Sequence, residues 1–248
     1  AIKSVKLKNR NFLFLAEAYW ETEQKLQDQG FDYTYDKTLY NLLADVNIEG
    51  LNNHLSVPIA LQQRMIRFLE NHDEPRAFHT FGAERVHCAM IIHATLPGMR
   101  LWQHGQFQGN RIRIPVQLRR GPHEPVKKDV EAFCDLLLRE VDHPVFHEGA
   151  CDICDTSGWD DNQSHNNLLA WCWSLKKERR LIVVNFSFSP AQGYVKLPLN
   201  WLPEGDKIIL KDPLKGDLLF RPSVQAEQSG LYIALESGDF HFFKIDKA

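Results

Sequence analysis

Between residues 12 and 141 one alternation repeats: an apolar run short enough for a strand, then a longer stretch with helical spacing. FLFLAE (12–17) is a continuous apolar run closed by an acid, and the polar helical pattern of ETEQKLQDQG after it stops at Gly30. FDYTYDK is a short aromatic strand, TLYNLLAD opens a helix, and VPIALQQRMIRFLENHD reads as a helix passing into a second buried strand. ERVHCAMIIHATLPG is an apolar helix ended by Pro97 and Gly98, and MRLWQHGQFQG a further strand and loop. In VKKDVEAFCDLLLREV the apolar residues Val130, Phe133, Leu136, Leu137 and Val141 give the last helix. Four strand–helix units in succession predict a parallel sheet under helical cover.

After about residue 150 the texture changes. LLAWCWSL, RLIVVNFSF, GYVKLPL, KIILKDPL, DLLFRP, LYIALES and FHFFKI are short strand-like runs separated by Gly, Pro, Asp and Ser. They predict an antiparallel β-sandwich over residues 150–248, following an α/β part over residues 1–149. The boundary falls in DHPVFHEGACDICD. It holds no flexible linker, so the two parts are expected to pack together.

The 29 basic and 32 acidic residues leave a net charge of -3 with no long block of one sign, which argues against nucleic acid as a partner. CAMIIHATLPGM is interrupted by His93, Pro97 and Gly98, too soon for a membrane span. Five cysteines, an odd number, suit a reducing compartment, and the expectation is cytoplasmic. The opening AIKSVKLKNR lacks signal-peptide anatomy and runs straight into a strand, as if the chain were entered in the middle.

FLFLAEAYW, then RFLENHDEPRA, then TLPGMRLWQHGQFQG, in that order and spacing, resemble the second half of the catalytic barrel of the alpha-amylase family, glycoside hydrolase family 13. The resemblance spans most of residues 10–150, and a trailing β domain is also the family's habit. It implies the second half of a (β/α)8 TIM barrel, strands 5 to 8, over residues 1–149. It further implies Glu17 as general acid/base, Asp73 as the carboxylate that stabilises the transition state, and His72 as a donor to sugar hydroxyls, with Asn71 beside it in the substrate-binding loop. The substrate implied is an alpha-glucan or alpha-glucoside. Glycosidic cleavage asks for such residues in any case: an acid to protonate the leaving oxygen and carboxylates to stabilise an oxocarbenium-like centre, with acid and nucleophile ~5 Å apart in retaining enzymes. Barrel enzymes carry these groups at the carboxyl ends of strands, where Glu17 and Asp73 fall.

The family's nucleophile, an aspartate in a glycine–x–arginine–x–aspartate setting, has no counterpart in the sequence, and Asp32 and Asp36 lack that setting. A whole barrel takes roughly 250 residues. The chain is therefore expected to lack an N-terminal half that would complete it, and to turn over no glycoside alone. The alternative is a non-catalytic carbohydrate-binding or structural module on an amylase-like scaffold, although a binder needs no acid/base.

Blander readings accompany the remaining motifs. Glu17 could serve only the dipole of the following helix, and Asn71, His72 and Asp73 could be loop caps. Arg111 and Arg113 are expected to pair with acids across the barrel mouth, and Trp20 and Trp102 to belong to the core. His143, His147, Cys151 and Cys154 form an H-x3-H-x3-C-x2-C array, but Pro144 and the short His147–Cys151 connection argue against a zinc finger. A helix end followed by a strand with buried thiols is expected there, with no metal and no cofactor.

Overall fold

The four short strands of the first hundred residues are β1 (Leu15–Ala16), β2 (Tyr33–Tyr35), β3 (Met65–Arg67) and β4 (Met99–Arg100). In the computed structural model, which describes residues 1–19, 22–199, 201–203 and 205–247, they form one parallel sheet in the order β1-β2-β3-β4. The register pairs Leu15 with Tyr33, Thr34 with Met65 and Ile66 with Met99. Each crossover is helical, as parallel pairing requires. After an initial α1 (Ile2–Lys8), α2 (Glu23–Asp28) joins β1 to β2. Then α3 (Lys37–Ala44), α4 (Ile48–Leu55) and α5 (Ile59–Gln62) lead to β3, and α6 (Ala77–Thr95) leads to β4. α7 (Lys128–Val141) and α8 (Val145–Glu148) close this part.

Local chemistry sets the ends. The chain leaves α2 through Gly30 at φ +105°, a left-handed conformation that favours glycine. Asp36 caps α3 by accepting from the Leu39 N–H at 3.0 Å, and Asn47 caps α4 through the Gly50 N–H at 2.8 Å. Two sequence readings need adjustment. The apolar run from Phe12 gives only two paired residues, because β1 has one neighbour, and Phe12 and Leu13 stay exposed. On α7 the buried stripe is Val130, Cys134, Leu137 and Val141, while Leu136 faces solvent.

Arg67 ties the parallel sheet together. It is fully buried at the end of β3, forms an ion pair with Asp36, and donates to Gln62 Oε1 at 3.0 Å and to the Pro97 carbonyl at 3.2 Å. One guanidinium thus joins the segments that enter α3, β3 and β4. Burial pulls its pKa down to about 9, still charged at neutral pH. Asp36 also contacts His54 Nε2 at 3.0 Å. On the other side the His93 Nε2–H donates to the Arg67 carbonyl at 3.0 Å, and its ring meets Trp102 edge-on at 4.1 Å.

The remaining elements are antiparallel. A six-stranded sheet runs β11 (Asp217–Pro222), β10 (Lys207–Asp212), β13 (Asp239–Lys247), β8 (Glu178–Asn185), β7 (Leu168–Leu175), β5 (Ala150–Ile153). A three-stranded sheet of β12 (Leu231–Leu235), β9 (Ala191–Val195) and β6 (Thr156–Ser157) faces it, and α9 (Ser223–Gln228) lies between β11 and β12 in the chain. Strand residues alternate sides. Leu169, Trp171 and Trp173 of β7, Ile182 and Val184 of β8, and Phe240 and Phe242 of β13 join the core of the α/β part. Leu168, Ala170, Cys172, Leu181, Val183, Phe243 and Ile245 join the core inside the sandwich. A central sheet buried on both faces explains why these strands read as unbroken apolar runs. The indoles of Trp171 and Trp173 donate to the Thr95 hydroxyl at 3.2 Å and the Thr95 carbonyl at 2.7 Å, pinning the sheet to the end of α6.

Removing Asp36 would leave Arg67 buried and unpaired, so Asp36→Ala should destabilise the chain by about 3–5 kcal/mol in urea titrations. A loss below about 1 kcal/mol would show that Arg67 finds other compensation. His93 supplies a pH signature. Burial draws its pKa from 6.5 to about 3, so the folded chain binds fewer protons than the unfolded one between those values. Its contribution is complete above pH 6.5 and fades as pH falls toward 3. Stability measured at pH 7 and 4.5 should therefore drop less in His93→Gln, by up to about 1.4 kcal/mol per pH unit. Equal drops in both proteins would refute this.

Candidate active site

Glu17 follows β1 directly, and Asp73 follows β3 after the buried turn Phe68–Asn71. Because β1, β2 and β3 run parallel, both acids emerge at the carboxyl edge of the sheet, 56 positions apart in sequence but adjacent in space. One donor atom from each of Glu17, His72 and Asp73 lies within 4.8 Å of the other two. His72 Nε2 is 4.0 Å from Glu17 Oε1 and 3.4 Å from Asp73 Oδ2, so the imidazole sits between the carboxylates. All three side chains are about half exposed, at 42%, 47% and 53%.

The surroundings hold this group in place. The Tyr19 phenol donates to Glu17 Oε1, and that bond to a carboxylate raises the tyrosine pKa. Tyr35 on β2 is also raised, by burial first and by the Glu17 charge second. Lys37 pairs with Glu74 and lies over the Tyr40 ring at 4.4 Å. Asn71 is buried, and its Oδ1 accepts from the N–H groups of both Asp73 and Glu74 at 2.9 Å. Its visible task is to shape the turn that presents His72 and Asp73. Glu70 just before it is fully buried, takes the Ala77 N–H at 2.5 Å and pairs with Arg76 at 2.8 Å. Burial pushes its carboxyl up to about 7.

Of the site residues anticipated from sequence, Glu17, His72 and Asp73 converge, and Asn71 stands behind them. Tyr19 was missed, although i, i+2 positions in an extended segment share a side, so Glu17 already pointed to it. Glu74 lies in the same motif as Asp73, while Lys37 and Tyr35 come from another unit and left no local signal. Asp36 is spent on Arg67, His54 and the α3 cap, and Asp32 on Lys6 and the Phe14 N–H. The ion pairs expected of Arg111 and Arg113 are absent among the described residues. Arg111 instead lies over the Phe78 ring at 5.5 Å, and the acid nearby, Glu124, accepts from the Arg111 and Ile112 backbone. Trp102 packs against the core, and Trp20 lies outside the described residues.

Among the described residues, the Glu17–His72–Asp73 group is the set of three or more donors near enough to share a metal ion. The histidine–cysteine array is not gathered. Cys151 faces the core of the α/β part, Cys154 faces the sandwich core, and His147 is exposed on α8. Three positions along a strand put the two thiols on opposite sides.

No protein-family model matches the sequence, and no curated protein matches it. Solved structures do. A noncanonic maltogenic alpha-amylase from Thermotoga neapolitana aligns over 98% of this chain and 56% of its own, with 16% identity and a TM-score of 0.75. The alpha-amylase from Geobacillus thermoleovorans, complexed with acarbose, aligns over 99% and 56%, with 17% identity and a TM-score of 0.74. The cyclic alpha-maltosyl-(1→6)-maltose hydrolase from Arthrobacter globiformis, bound to its namesake sugar, aligns over 98% and 51%, with 16% identity and a TM-score of 0.61. The fold is that of the C-terminal part of alpha-amylase structures. The chain spans about half the length of the alpha-amylases it matches.

Because the thiols and imidazoles do not converge, a chelator should leave the melting curve unchanged, and elemental analysis should find no stoichiometric zinc. Zinc present in the purified chain and lost on Cys151→Ser would overturn this.

Proposed function

We propose that residues 1–149 are the second half of an alpha-amylase-type (β/α)8 barrel and residues 150–248 its β domain. In this reading the chain belongs to a retaining glycosidase or glucan transferase of alpha-glucosides. The observation that carries the proposal is the convergence of Glu17, His72 and Asp73 at the carboxyl edge of the parallel sheet. A barrel enzyme places its chemistry there. The amylase-like fold and the sugar ligands of two structural neighbours support the same substrate class.

Glu17 is the general acid: its proton passes to the glycosidic oxygen as the bond to the anomeric carbon breaks, and Tyr19 fixes the orientation of the carboxyl group. The resulting carboxylate then takes a proton from the incoming water or sugar hydroxyl. Asp73 stabilises the positive charge that develops on the ring, and His72 donates to a sugar hydroxyl. Asn71 holds the turn that carries both. The nucleophile comes from a half-barrel outside this sequence, so these 248 residues are inactive alone. No helix among the described residues is long and apolar enough to cross a membrane, and five unpaired, buried cysteines support a cytoplasmic setting.

The roles separate by leaving group in the protein that joins this chain to a nucleophile-bearing half. An acid matters only when the departing oxygen is a poor leaving group, so Glu17→Gln should nearly abolish cleavage of natural glucosides and spare the first step on an activated aryl glucoside. Asp73→Asn should depress kcat/KM on both substrates by comparable factors. Equal losses on both substrates for Glu17→Gln would remove it from the acid role.

A further inference from the structure

We propose that the outer face of the three-stranded sheet carries a second binding site, for a neutral oligosaccharide, in the cavity beside Trp159, Tyr194 and Tyr232. The cavity holds about 760 Å³, within the range of pockets that take small ligands. Tyr194 on β9 and Tyr232 on β12 are directly paired across the two strands, with rings 5.8 Å apart on the face turned away from the core. Trp159 reaches them from the loop after β6, with ring centroids 5.4 Å from Tyr194 and 6.3 Å from Tyr232. Sheet packing alone would account for the two tyrosines. It does not account for an indole delivered from a separate loop and left 38% exposed at the edge of a cavity.

The lining defines the ligand. Its charged members are Asp161 and Arg221, one of each sign, so a phosphate or other strong anion finds no cluster of cations. The polar members include the amides of Asn162, Gln192 and Gln225. The Tyr232 hydroxyl donates to Gln192 Oε1 at 2.7 Å, and among the described residues no bond uses the Gln192 Nε2. Rings with an apolar face beside neutral amides suit a pyranose, which is apolar on one face and hydroxylated at its edge. The three rings are inclined to one another by 57–63°, a cradle rather than a flat platform. That shape fits a curved alpha-linked chain better than a flat beta-linked ribbon; the choice of an alpha-glucan also rests on the function proposed above.

The site is built in advance. The Trp159 carbonyl accepts from the Asn162 N–H and from Gln163 Nε2, both at 3.0 Å, and Asn162 Oδ1 accepts from the Ser164 N–H at 2.9 Å. Ser164 Oγ in turn accepts from the Gln192 N–H at 3.1 Å, which fastens the loop to β9. Little ordering remains when a ligand binds.

Maltoheptaose is the probe and Trp159 the reporter: the indoles of Trp171, Trp173 and Trp201 are buried, and peptide mapping separates Trp159 from the half-buried Trp102. Maltoheptaose should slow N-bromosuccinimide oxidation of Trp159, read by peptide mass spectrometry on the unmodified chain, and cellohexaose should protect less. In calorimetric titrations Trp159→Ala and Tyr232→Ala should weaken maltoheptaose binding by about five- to tenfold. Trp159→Phe should retain most of it. An absence of Trp159 protection on the unmodified chain would overturn the site whether or not the variants fold. Protection by cellohexaose equal to that by maltoheptaose would overturn the alpha-glucan assignment. Binding lost in Glu17→Gln with Asp73→Asn but kept in Trp159→Ala would overturn this site and leave the proposed catalytic one standing.

Discussion

The parallel sheet is held by a charge placed where water cannot reach it. Arg67 could not occupy a fully buried position alone, since its desolvation would exceed anything packing could return. Asp36, Gln62, Pro97 and His93 surround it, and each belongs to a segment that must arrive in register for the contact to exist. The penalty for leaving the guanidinium unmatched therefore selects one arrangement of β2, β3 and β4. The strands themselves are only two or three residues long, too short to fix register through their ladders alone. Glu17 and Asp73 meet because the sheet between them is locked.

Glu17, His72 and Asp73 also show how polar groups are divided at the end of this sheet. Glu70 and Asn71, adjoining them in sequence, are buried and spent on the backbone, while His72 and Asp73 are thrust into solvent. One run of five polar residues thus contains its own support and its own exposed face. The burial that raises the Glu70 carboxyl to about 7 is the local cost of that support.

Much of this was legible because periodicity and end signals are local. Gly30 and the alternation of apolar runs mark α2, α3 and the strand order, and the short runs after residue 150 became the predicted antiparallel strands. The motifs around Glu17 and Asp73 singled them out, and the sheet brings them together. What escaped depends on contacts between distant segments. Nothing near Phe12 says that β1 has one neighbour, so the strand was drawn too long. The spacing along α7 pointed to Phe133 and Leu136, and only packing against α6, where Cys134 meets Met90, decides that the thiol turns inward. Arg111 was given an acid partner on charge alone, whereas the aromatic ring of Phe78 lies under it. The Trp159 cradle was invisible, because its three rings come from β9, β12 and a loop.

The central strands β7, β8 and β13 have no solvent side. Trp171 is packed on the helical layer while Ala170 and Cys172 beside it are packed on the outer sheet, so each layer is the other's floor. Neither layer can open without exposing the neighbour's core, which couples them into one cooperative unit. Amide exchange in the buried stretches 168–173 and 180–185 should then proceed through global opening, at a single free energy for odd and even positions alike.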